Sequence, residues 1–353
     1  MYECADCGRE FAADGPWRCA CGGPLEFATR PDLPSGPPDA LDRDRGLWAV
    51  PEFLPVDRRV TLGEGWTPLV EASGWDAAFK LDYCFPTGSF KDRGAAVLCS
   101  LADRLGVERA LEDSSGNAGA AIATYAARAG IDATIYVPAD AKAGKLRAIE
   151  RTGATLERVS GDRHAVTEAC QAAVEAGEGW YASHAWHPGF FAGTATVALE
   201  VAAQRDWTAP DVFVTPLGHG TLFLGAYRGF RALAEAGWID EVPRLIGAQA
   251  AGVAPIAAAV RGDGNGNNDV ADGIQVRQPA RREQILDAID ATDGTALAVD
   301  ADATERTLNR LHRRGFQVEP TCAVAPAALE TLRKRGEVAP DDDVVVALTG
   351  LDK

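Results

Sequence analysis

The chain has 353 residues, of which 46% are hydrophobic, and this length predicts two or more domains with a sizeable core. Its formal net charge of −16 argues against nucleic acids and anionic membranes as partners, because those surfaces are negatively charged as well. No apolar run is long enough to span a membrane, and the N-terminus resembles neither a signal peptide nor a transit peptide, so we expect a cytoplasmic protein.

Four of the eight cysteines lie in residues 1–28, as the pair Cys4 and Cys7 followed by the pair Cys19 and Cys21. In a cytoplasmic chain such pairs are more often metal ligands than disulfides, and the glycine after each pair suits a metal-binding knuckle. Four thiolates around structural zinc would fold a zinc-ribbon-like segment that is too small for its own core. Only one residue separates the two cysteines of the second pair, so metal-free or redox-active thiols remain the alternative.

Residues 29–60 contain six prolines and are predicted to form an extended linker. Strand and helix signals alternate over residues 61–353. The predicted strands lie at 110–111, 131–137, 154–159, 212–214, 245–248 and 344–348, and the predicted helices at 93–105, 141–152, 194–205 and 222–236, with one more ending at Gly130. This alternation predicts parallel sheets covered on both faces. The expected fold is α/β, with two doubly wound lobes: a smaller one over 95–190 and a larger one over 61–94 plus 191–353.

Lys91 stands in the turn-rich segment Pro86–Gly94, directly before a predicted helix, and is one of only six lysines in the chain. Where arginine is so strongly preferred, this lysine indicates that an amine is required. A desolvated lysine can lose its proton and condense with a carbonyl to form a Schiff base, whereas arginine cannot. The alternative is a surface lysine near a helix N-terminus, which is an unfavourable place for a cation.

Three further segments follow predicted strands. Thr215–Thr221 opens a helix with small residues and successive N–H groups, which suits a phosphate, although a plain turn is the alternative. It lacks the features of ATP and NAD loops. Ser114–Gly119 has the same arrangement and suits a carboxylate, with Asn117 as a donor to an anionic oxygen; simple helix capping is the alternative. The Thr349 hydroxyl, at the end of the last strand, could bond a ring nitrogen.

A phosphate, a ring nitrogen, a ring oxygen and an imine-forming lysine together describe pyridoxal 5′-phosphate. The signature segments of the fold type II pyridoxal-phosphate enzymes, which include threonine synthase and its relatives, resemble Pro86–Gly94, Ser114–Gly119, Pro216–Thr221 and Thr349–Gly350. Gly63–Leu69 resembles the leader motif of that family, and the cysteine pairs resemble the N-terminal ribbon of one subgroup. The resemblance runs from about residue 60 to the end and implies a fold similar to the tryptophan synthase β subunit.

By this resemblance, Lys91 would bind the cofactor as a Schiff base and then move protons at the α, β and γ carbons of the substrate. Phe90 would lie against the cofactor ring, Asn117 would bond the ring oxygen, and Thr349 would face the ring nitrogen. The backbone that would wrap the phosphate belongs to Gly218, His219, Gly220, Thr221 and Leu222. The residues that would hold the substrate carboxylate are Ser114, Ser115, Gly116 and Ala118.

The resemblance implies threonine synthase activity, in which O-phospho-L-homoserine and water give L-threonine and phosphate. A hydroxyl at the ring nitrogen suits elimination and replacement better than transamination. A threonine or serine dehydratase, a cysteine or cysteate synthase-like enzyme and a non-catalytic binding protein with this fold stay open. His219 stands where the family usually has Asn, and the ending after Thr349 is shorter than usual. Relatives are commonly dimers, which implies a homodimer by analogy.

Weaker signals lie elsewhere. Segment Tyr181–Gly189 carries His184 and His187 near aromatic residues; its equivalent in the family lies close to the substrate, and ordinary packing is the alternative. Lys142 and Lys145 could meet an anionic substrate, or could lie on a solvated helix face. The cysteines predicted to be buried apolar residues are Cys84, Cys99, Cys170 and Cys322.

The scattered acid excess and the scarcity of lysine resemble proteins from high-salt cytoplasm, where dense surface carboxylates keep a chain hydrated and dispersed. We therefore expect the protein to unfold at a higher temperature in molar salt than in dilute buffer. Thermal unfolding followed over that range of salt tests the hypothesis, and full stability without salt would contradict it.

Overall fold

The computed structural model describes residues 1–141 and 143–352. Lys142 and the side chain of Lys145 therefore lie outside the described residues. The chain divides into two compact units. Unit 1 comprises Met1–Asp32, Leu41–Gly65 and Lys91–Thr194, and unit 2 comprises Leu33–Ala40, Trp66–Phe90 and Ala195–Lys353.

Strands and helices alternate along most of the chain. The strands are β1 (Tyr2–Cys4), β2 (Glu10–Phe11), β3 (Leu25–Phe27), β4 (Leu69–Ala72), β5 (Ala77–Leu81), β6 (Arg109–Glu112), β7 (Asp132–Pro138), β8 (Thr155–Val159), β9 (Trp180–Tyr181), β10 (Val212–Pro216), β11 (Arg244–Ala250), β12 (Thr295–Val299) and β13 (Val344–Leu348). The helices are α1 (Lys91–Arg104), α2 (Asn117–Ala129), α3 (Ala143–Glu150), α4 (Arg163–Glu175), α5 (Pro188–Thr194), α6 (Thr196–Gln204), α7 (Thr221–Glu235), α8 (Pro255–Arg261), α9 (Arg282–Ala291), α10 (Ala301–Arg313) and α11 (Pro320–Lys334). Within the described residues, no helix is both long and apolar enough to cross a membrane.

Unit 1 contains two sheets. The N-terminal strands form an antiparallel sheet in the order β2-β1-β3, and a second sheet has the order β8-β7-β6-β9 with every pair parallel. Ile135 and Val137 of β7 are fully buried in the core of this unit, together with Ala121 and Ile122 of α2. The strand β6 lies between β7 and β9 in the parallel sheet. The loop that follows β6 therefore starts from a fixed position.

Unit 2 contains one sheet in the order β12-β11-β10-β13-β5-β4. Every residue of β10 and of β13 is buried, and such continuous burial is typical of parallel strands covered on both faces. The pairing is parallel except at the edge, where β4 runs antiparallel to β5. Only four residues connect these two strands, which allows a hairpin but no helical crossover. The predicted α/β class is confirmed, and the prediction of wholly parallel sheets is wrong for β4.

Other sequence predictions differ locally from the structure. The predicted helix at 194–205 is preceded by a separate short helix, α5. The proline-rich stretch is not simply extended, because it contains 3₁₀ turns at Arg43–Trp48 and Pro51–Phe53. Cys99, Cys170 and Cys322 are buried as predicted, but Cys84 is exposed at the end of a 3₁₀ turn that leaves β5.

A buried ionic cluster in unit 2 connects β5 to α6. The Nζ of Lys80 on β5 lies 2.7 Å from Oε2 of Glu200 and also donates to the carbonyl oxygen of Thr67 at 2.7 Å and to Oε1 of Gln204 at 2.8 Å. The side chains of Lys80 and Glu200 are 0% and 1% exposed. The N–H of Thr67, within the leader motif, donates to the same carboxylate at 3.1 Å. Each buried charge therefore has a charged or polar partner, as buried charges require.

We expect Glu200→Ala to lower the free energy of unfolding by about 3–5 kcal/mol, because it leaves the Lys80 ammonium buried without its counter-ion. Urea unfolding followed by circular dichroism measures the change. The control is Glu235→Ala, which removes the exposed pair with Arg231 on α7 and should leave stability nearly unchanged. Equal effects of the two substitutions would contradict the importance of the buried cluster.

Candidate active site

Lys91 is the first residue of α1 and is half-buried, whereas Asp92 and Arg93 beside it are fully buried. The hydroxyl of Tyr125 on α2 lies 3.3 Å from Oδ2 of Asp92 and 3.2 Å from Oε2 of Glu64 in the leader motif. Burial and the two carboxylates raise the pKa of Tyr125, so its hydroxyl keeps its proton and can donate. The first turn of α1 is therefore held to the leader motif by a buried polar cluster.

The carboxylate of Glu64 has further donors in unit 1. The indole N–H of Trp48 donates to Oε1 at 2.9 Å, and the backbone N–H of Leu62 donates to Oε2 at 2.6 Å. Trp48 is 2% exposed, so the 3₁₀ turn in the proline-rich stretch is packed into the core. Glu64 is therefore fixed by donors from the 3₁₀ turn and from its own loop as well as by Tyr125.

Two glycines allow α1 to lie directly against α5. A Cβ on Gly193 would lie 2.1 Å from the carbonyl oxygen of Arg93, and a Cβ on Gly94 would lie 2.2 Å from the ring of Phe190. Any side chain at either position would push the helices apart. The distance between α1, which carries Lys91, and α5 is thus closely defined. A catalytic side chain needs such a rigid support.

The loop after β6 carries the predicted carboxylate site. Ser114 is buried, and its Oγ accepts the N–H of Gly116 at 3.3 Å. Gly116 is the N-cap of α2, without a capping side chain, and Asn117 is the first helical residue and half-buried. The helix therefore starts from a glycine rather than from a capping Ser115 or Asn117, and its first N–H groups receive no acceptor from the N-cap side chain.

Gly119 is required by the close approach of α2 to the end of β6. A Cβ at this position would lie 1.8 Å from the carbonyl oxygen of Ser114 and 3.0 Å from Cγ2 of Ile135. The preceding Ala118 is 2% exposed. The small residues of this segment are therefore explained in part by helix–strand packing.

In unit 2, the predicted phosphate loop joins β10 to the 15-residue helix α7. The N–H of Leu217 donates to the carbonyl oxygen of Ala248 at 2.7 Å, which fixes the start of the loop. Gly220 is the N-cap in the left-handed region, with φ of 78°, and a Cβ there would lie 2.5 Å from Cδ1 of Ile285. Gly218 and His219 are half-buried, and the residues from Gly220 to Leu222 are buried. A helix start with a positive dipole end and no capping side chain fits a phosphate.

Phe90 and Thr349 lie side by side in unit 2. The N–H of Phe90 donates to the carbonyl oxygen of Thr349 at 3.0 Å, and the N–H of Leu351 donates to the carbonyl oxygen of Gly88 at 2.8 Å. Ser89 forms an antiparallel bridge with Gly350 between them. This pairing brings the segment before Lys91 to the end of β13.

The Thr349–Gly350 corner has a thiol partner that sequence reasoning treated only as an apolar residue. The Sγ of Cys322 on α11 accepts the N–H groups of Thr349 and Gly350, both at 3.1 Å, and lies 3.5 Å from Oγ1 of Thr349. Burial raises the pKa of Cys322 to about 12, so it remains a thiol at neutral pH. Cys322 therefore fixes the backbone that carries the Thr349 hydroxyl.

A carboxylate at the same corner was not predicted. A Cβ on Gly350 would lie 2.4 Å from Oε1 of Glu319, and the N–H of Glu319 donates to the carbonyl oxygen of Gly350 at 3.0 Å. Glu319 precedes Pro320, the first residue of α11. An acid directly before a helix that starts with proline is the sequence signal that could have drawn attention to it.

The four N-terminal cysteines come together despite the short spacing of the second pair. Their sulfur atoms lie 3.5 Å apart for Cys4 and Cys21, 3.6 Å for Cys7 and Cys19, and 3.7 Å for Cys7 and Cys21, and all four lie within 4.8 Å of one another. Tetrahedral zinc with bonds of about 2.3 Å would separate its sulfur ligands by ~3.8 Å. The donor set and its geometry therefore fit a tetrahedral metal.

Comparison with known proteins decides the family. A family model described as "Pyridoxal-phosphate dependent enzyme" matches residues 60–350. Threonine synthase of Methanocaldococcus jannaschii is 31% identical, with 99% of this chain and 92% of the relative covered. Threonine synthase of Methanosarcina acetivorans is 30% identical, with 99% and 91% covered. The chain belongs to the pyridoxal-phosphate dependent enzyme family. It is a threonine synthase-like lyase.

Solved structures with a similar fold include two other enzymes. Threonine deaminase isoform 2 from Solanum lycopersicum has a TM-score of 0.71 at 19% identity, over 91% of this chain and 87% of that one. Maize serine racemase has a TM-score of 0.69 at 21% identity, over 82% and 88%. The fold type II architecture expected from the sequence is confirmed. The roles predicted for individual residues of the enzyme, and the predicted domain boundaries, stay predictions.

We expect Gly119→Ala to destabilise the enzyme by roughly 1–3 kcal/mol, because the added methyl group overlaps the Ser114 carbonyl. Thermal unfolding of the purified variant gives the change. Gly116→Ala is the matched control, since its φ of −98° suits alanine and the nearest atom to its Cβ is 3.8 Å away. If both variants unfolded like the parent, close packing would not explain Gly119.

Proposed function

We propose that the enzyme is a threonine synthase that converts O-phospho-L-homoserine and water to L-threonine and phosphate. The observation that carries the proposal is the similarity to two threonine synthases over 99% of this chain, at 31% and 30% identity. The similarity includes the N-terminal cysteine segment as well as the region from 60 to 350 that the whole family shares.

Pyridoxal phosphate, when bound, supplies an electron sink for negative charge at the substrate carbon atoms. In the proposal, Lys91 holds it through the side-chain amine, and Asn117 donates to its ring oxygen. Phe90 packs on its ring and Thr349 faces the ring nitrogen. The start of α7 binds its phosphate through the backbone of Gly218, His219, Gly220, Thr221 and Leu222.

The same residues can carry the reaction. With the substrate bound, the amine of Lys91 would be free to act as a base. Lys91 would take the α proton and one β proton and return a proton to the γ carbon after the γ-phosphate leaves with the electrons of its C–O bond. Water would add its oxygen at the β carbon and give up a proton, and a proton returned to the α carbon would complete threonine.

The substrate carboxylate has a matching site at the start of α2. In the proposal, the residues that hold it are Ser114, Ser115, Gly116 and Ala118. The N–H groups of the first helical turn and the positive end of the helix dipole favour an anion there. This contact would fix one end of the substrate.

Thr349 supports elimination and replacement over transamination. Its hydroxyl is neutral, so it cannot give the ring nitrogen the full positive charge that favours transamination. The hydrogen bonds from its backbone to Cys322 keep this hydroxyl in place. The geometry of the corner therefore agrees with the proposed chemistry.

We expect Lys91→Ala to abolish both threonine formation and the absorbance of the lysine–cofactor imine, because no other amine occupies the start of α1. Absorption spectra before and after borohydride, together with phosphate release from phosphohomoserine, measure both effects. Lys334→Ala, at the end of α11, is the control and should behave like the parent. An imine that persists in Lys91→Ala would refute the assignment of Lys91.

The same assay separates the competing activities. Offered phosphohomoserine, threonine, serine and phosphoserine in turn, the parent enzyme should release phosphate from the first and no ammonia from threonine or serine. Ammonia and an oxo acid from threonine or serine would instead establish a dehydratase. Binding of the cofactor without turnover of any substrate would favour a binding protein.

We also propose that Cys4, Cys7, Cys19 and Cys21 bind one structural zinc ion. With four protein ligands the metal has no open position, so its role is to fold residues 1–28 rather than to catalyse. The support is the close approach of the four sulfur atoms in the antiparallel N-terminal sheet.

We expect the purified protein to contain about one zinc ion per chain and Cys7→Ser to lose it, because a hydroxyl group is a poor zinc ligand. Elemental analysis and thermal unfolding with and without a chelator measure the loss and the lower stability that should accompany it. Cys84→Ser is the matched control, since Cys84 is exposed and lies outside the cluster. Unchanged zinc content in Cys7→Ser would refute the site.

A further inference from the structure

Two histidines lie in the segment before α5, and they have different partners. Nδ1 of His184 lies 2.6 Å from Oε1 of Glu112 at the end of β6. His187 instead contacts the N-terminal sheet, where its Nε2 lies 3.4 Å from the hydroxyl oxygen of Tyr2 on β1. Both partners of this second contact are buried, with His187 7% and Tyr2 3% exposed. The proposed function has no use for a contact between His187 and the cysteine-rich segment.

The imidazole of His187 joins β1 to the first turn of α5. Its Nδ1 accepts the N–H of Gly189, the second residue of α5, at 3.0 Å. Because Nδ1 is an acceptor, the neutral ring carries its proton on Nε2, which then donates to the Tyr2 hydroxyl. The rings of His187 and Tyr2 also meet edge to face, with centroids 5.7 Å apart. One side chain therefore binds the N-terminal sheet and the backbone of α5 at the same time.

From α5 the contacts continue directly into α1. A Cβ on Gly189 would lie 3.1 Å from Nδ1 of His187 and 3.3 Å from Cδ1 of Leu98 on α1. Near the other end of α5, a Cβ on Gly193 would lie 2.1 Å from the carbonyl oxygen of Arg93 on α1. The helix α5 therefore lies against α1 near both of its ends, with glycine at each contact. Only the backbone of Gly189 separates the His187 ring from α1.

The strand that provides Tyr2 also provides a cysteine of the proposed metal site. Tyr2 and Cys4 are buried and Glu3 between them is exposed, in the two-residue repeat of a strand. Tyr2 and Cys4 therefore point to the same face of β1. Cys4 pairs with Leu25 of β3, and a Cβ on Gly23 would lie 2.9 Å from the Cys4 Sγ. The position of the Tyr2 ring thus depends on the short sheet that carries the cysteines.

The N-terminal sheet is too small to be stable alone. Its strands β1, β2 and β3 have three, two and three residues. A segment of this size buries too little surface to keep its fold without its metal. Its buried residues join the hydrophobic core of unit 1, which also contains Phe190 of α5; they are Tyr2, Cys4, Cys19 and Leu25. Loss of the metal would therefore remove support from α5.

A cavity of about 910 Å³ borders the contact between Tyr2 and His187. Both residues lie in its wall, together with Trp17 of the N-terminal segment and Trp180 of β9. The ring of Trp180 packs on the His187 ring, with centroids 4.8 Å apart. Because open space lies beside these rings, the Tyr2 side chain can shift without displacing close-packed neighbours on every side. The contact can therefore open while the rest of unit 1 stays folded.

We propose that the Tyr2–His187 contact makes the position of α1 depend on the metal at the four N-terminal cysteines. With the metal bound, Tyr2 holds His187, and His187 holds the first turn of α5 against α1. Without the metal, β1 no longer keeps Tyr2 in place, and α1 loses this support. His187 is thus a positioning residue for Lys91. The benefit to catalysis rests on the metal site and the role of Lys91 in the proposed function, but the coupling itself requires no turnover.

The test measures amide hydrogen exchange by mass spectrometry in the full-length protein, as purified and after removal of zinc with a chelator. We expect zinc removal to speed exchange in α5 and in residues 95–98 of α1 by about tenfold, because both lose the support of β1. Exchange in α7, in unit 2, should stay unchanged. After hydroxylamine has removed bound cofactor, added pyridoxal phosphate should form the borohydride-sensitive imine with Lys91 several-fold more slowly in the zinc-free sample.

His187→Ala should reproduce the effect of zinc removal while zinc stays bound, because it breaks the link and leaves the four cysteines intact. In this variant, exchange in α5 and in residues 95–98 should be fast with zinc and change less than about twofold when zinc is removed. His187→Gln keeps a donor near the position of Nε2 and should retain part of the response. His164→Ala removes an exposed histidine on α4 and, as the matched control, should behave like the parent.

Faster exchange in residues 1–28 after zinc removal, with no change in α5 and α1, would overturn the proposal, and this comparison needs no variant to fold. A full further increase on zinc removal in His187→Ala would overturn it too, since the metal would then act by another route. A purified protein that binds no metal would overturn it together with the metal site. The expected pattern in a protein that makes no threonine would support the coupling and refute only the threonine synthase assignment.

Discussion

The backbone pairing of residues 88–90 with residues 349–351 is the constraint on which the unit 2 part of the candidate site around Phe90 and Thr349 depends. It places Phe90 against Thr349 through the hydrogen bond from the Phe90 N–H, and α1 begins with the next residue. The pairing partners are main-chain atoms, and residue 350 must remain glycine because a Cβ there would lie 2.4 Å from Oε1 of Glu319. The Sγ of Cys322 supports it by accepting two further hydrogen bonds, from the N–H groups of Thr349 and Gly350. The segment that ends at Phe90 is in this way tied to the last buried strand.

The leader motif depends on polar clusters at both of its ends. Glu64 joins the cluster with Tyr125 and Asp92 in unit 1, and Thr67 joins the cluster with Lys80 and Glu200 in unit 2. Buried charges that are fully paired contribute little net stability but strongly disfavour other arrangements. Two such clusters within a few residues explain why a short, glycine-rich segment without regular structure keeps a defined path.

Much of the fold and of the candidate site could be predicted because the signals are local. The fully apolar run of β13, the glycine-rich loops after β6 and β10, and a lone lysine before a helix are each visible within a few residues of sequence. What could not be predicted depends on partners far apart in the chain. Glu112 and His184 are 72 residues apart, and Cys322 and Thr349 are 27 apart, with no pattern in the sequence that links them. The antiparallel edge strand β4 was missed because its four residues, two half-buried, one exposed and one buried, give too weak an alternation. The exposure of Cys84 depends on a turn that composition does not reveal.

The direct contact of α1 with α5, with glycine at Gly94 and Gly193, has a mechanical consequence. No flexible side chain lies between Gly193 and the Arg93 carbonyl, so no side chain can rearrange to absorb a displacement of α5. A displacement of α5 would therefore be passed directly to α1, and residues 184–187, which lead into α5, are joined to the helix that carries Lys91 through this contact. A substitution there that moved α5 would change the position of the lysine without replacing it.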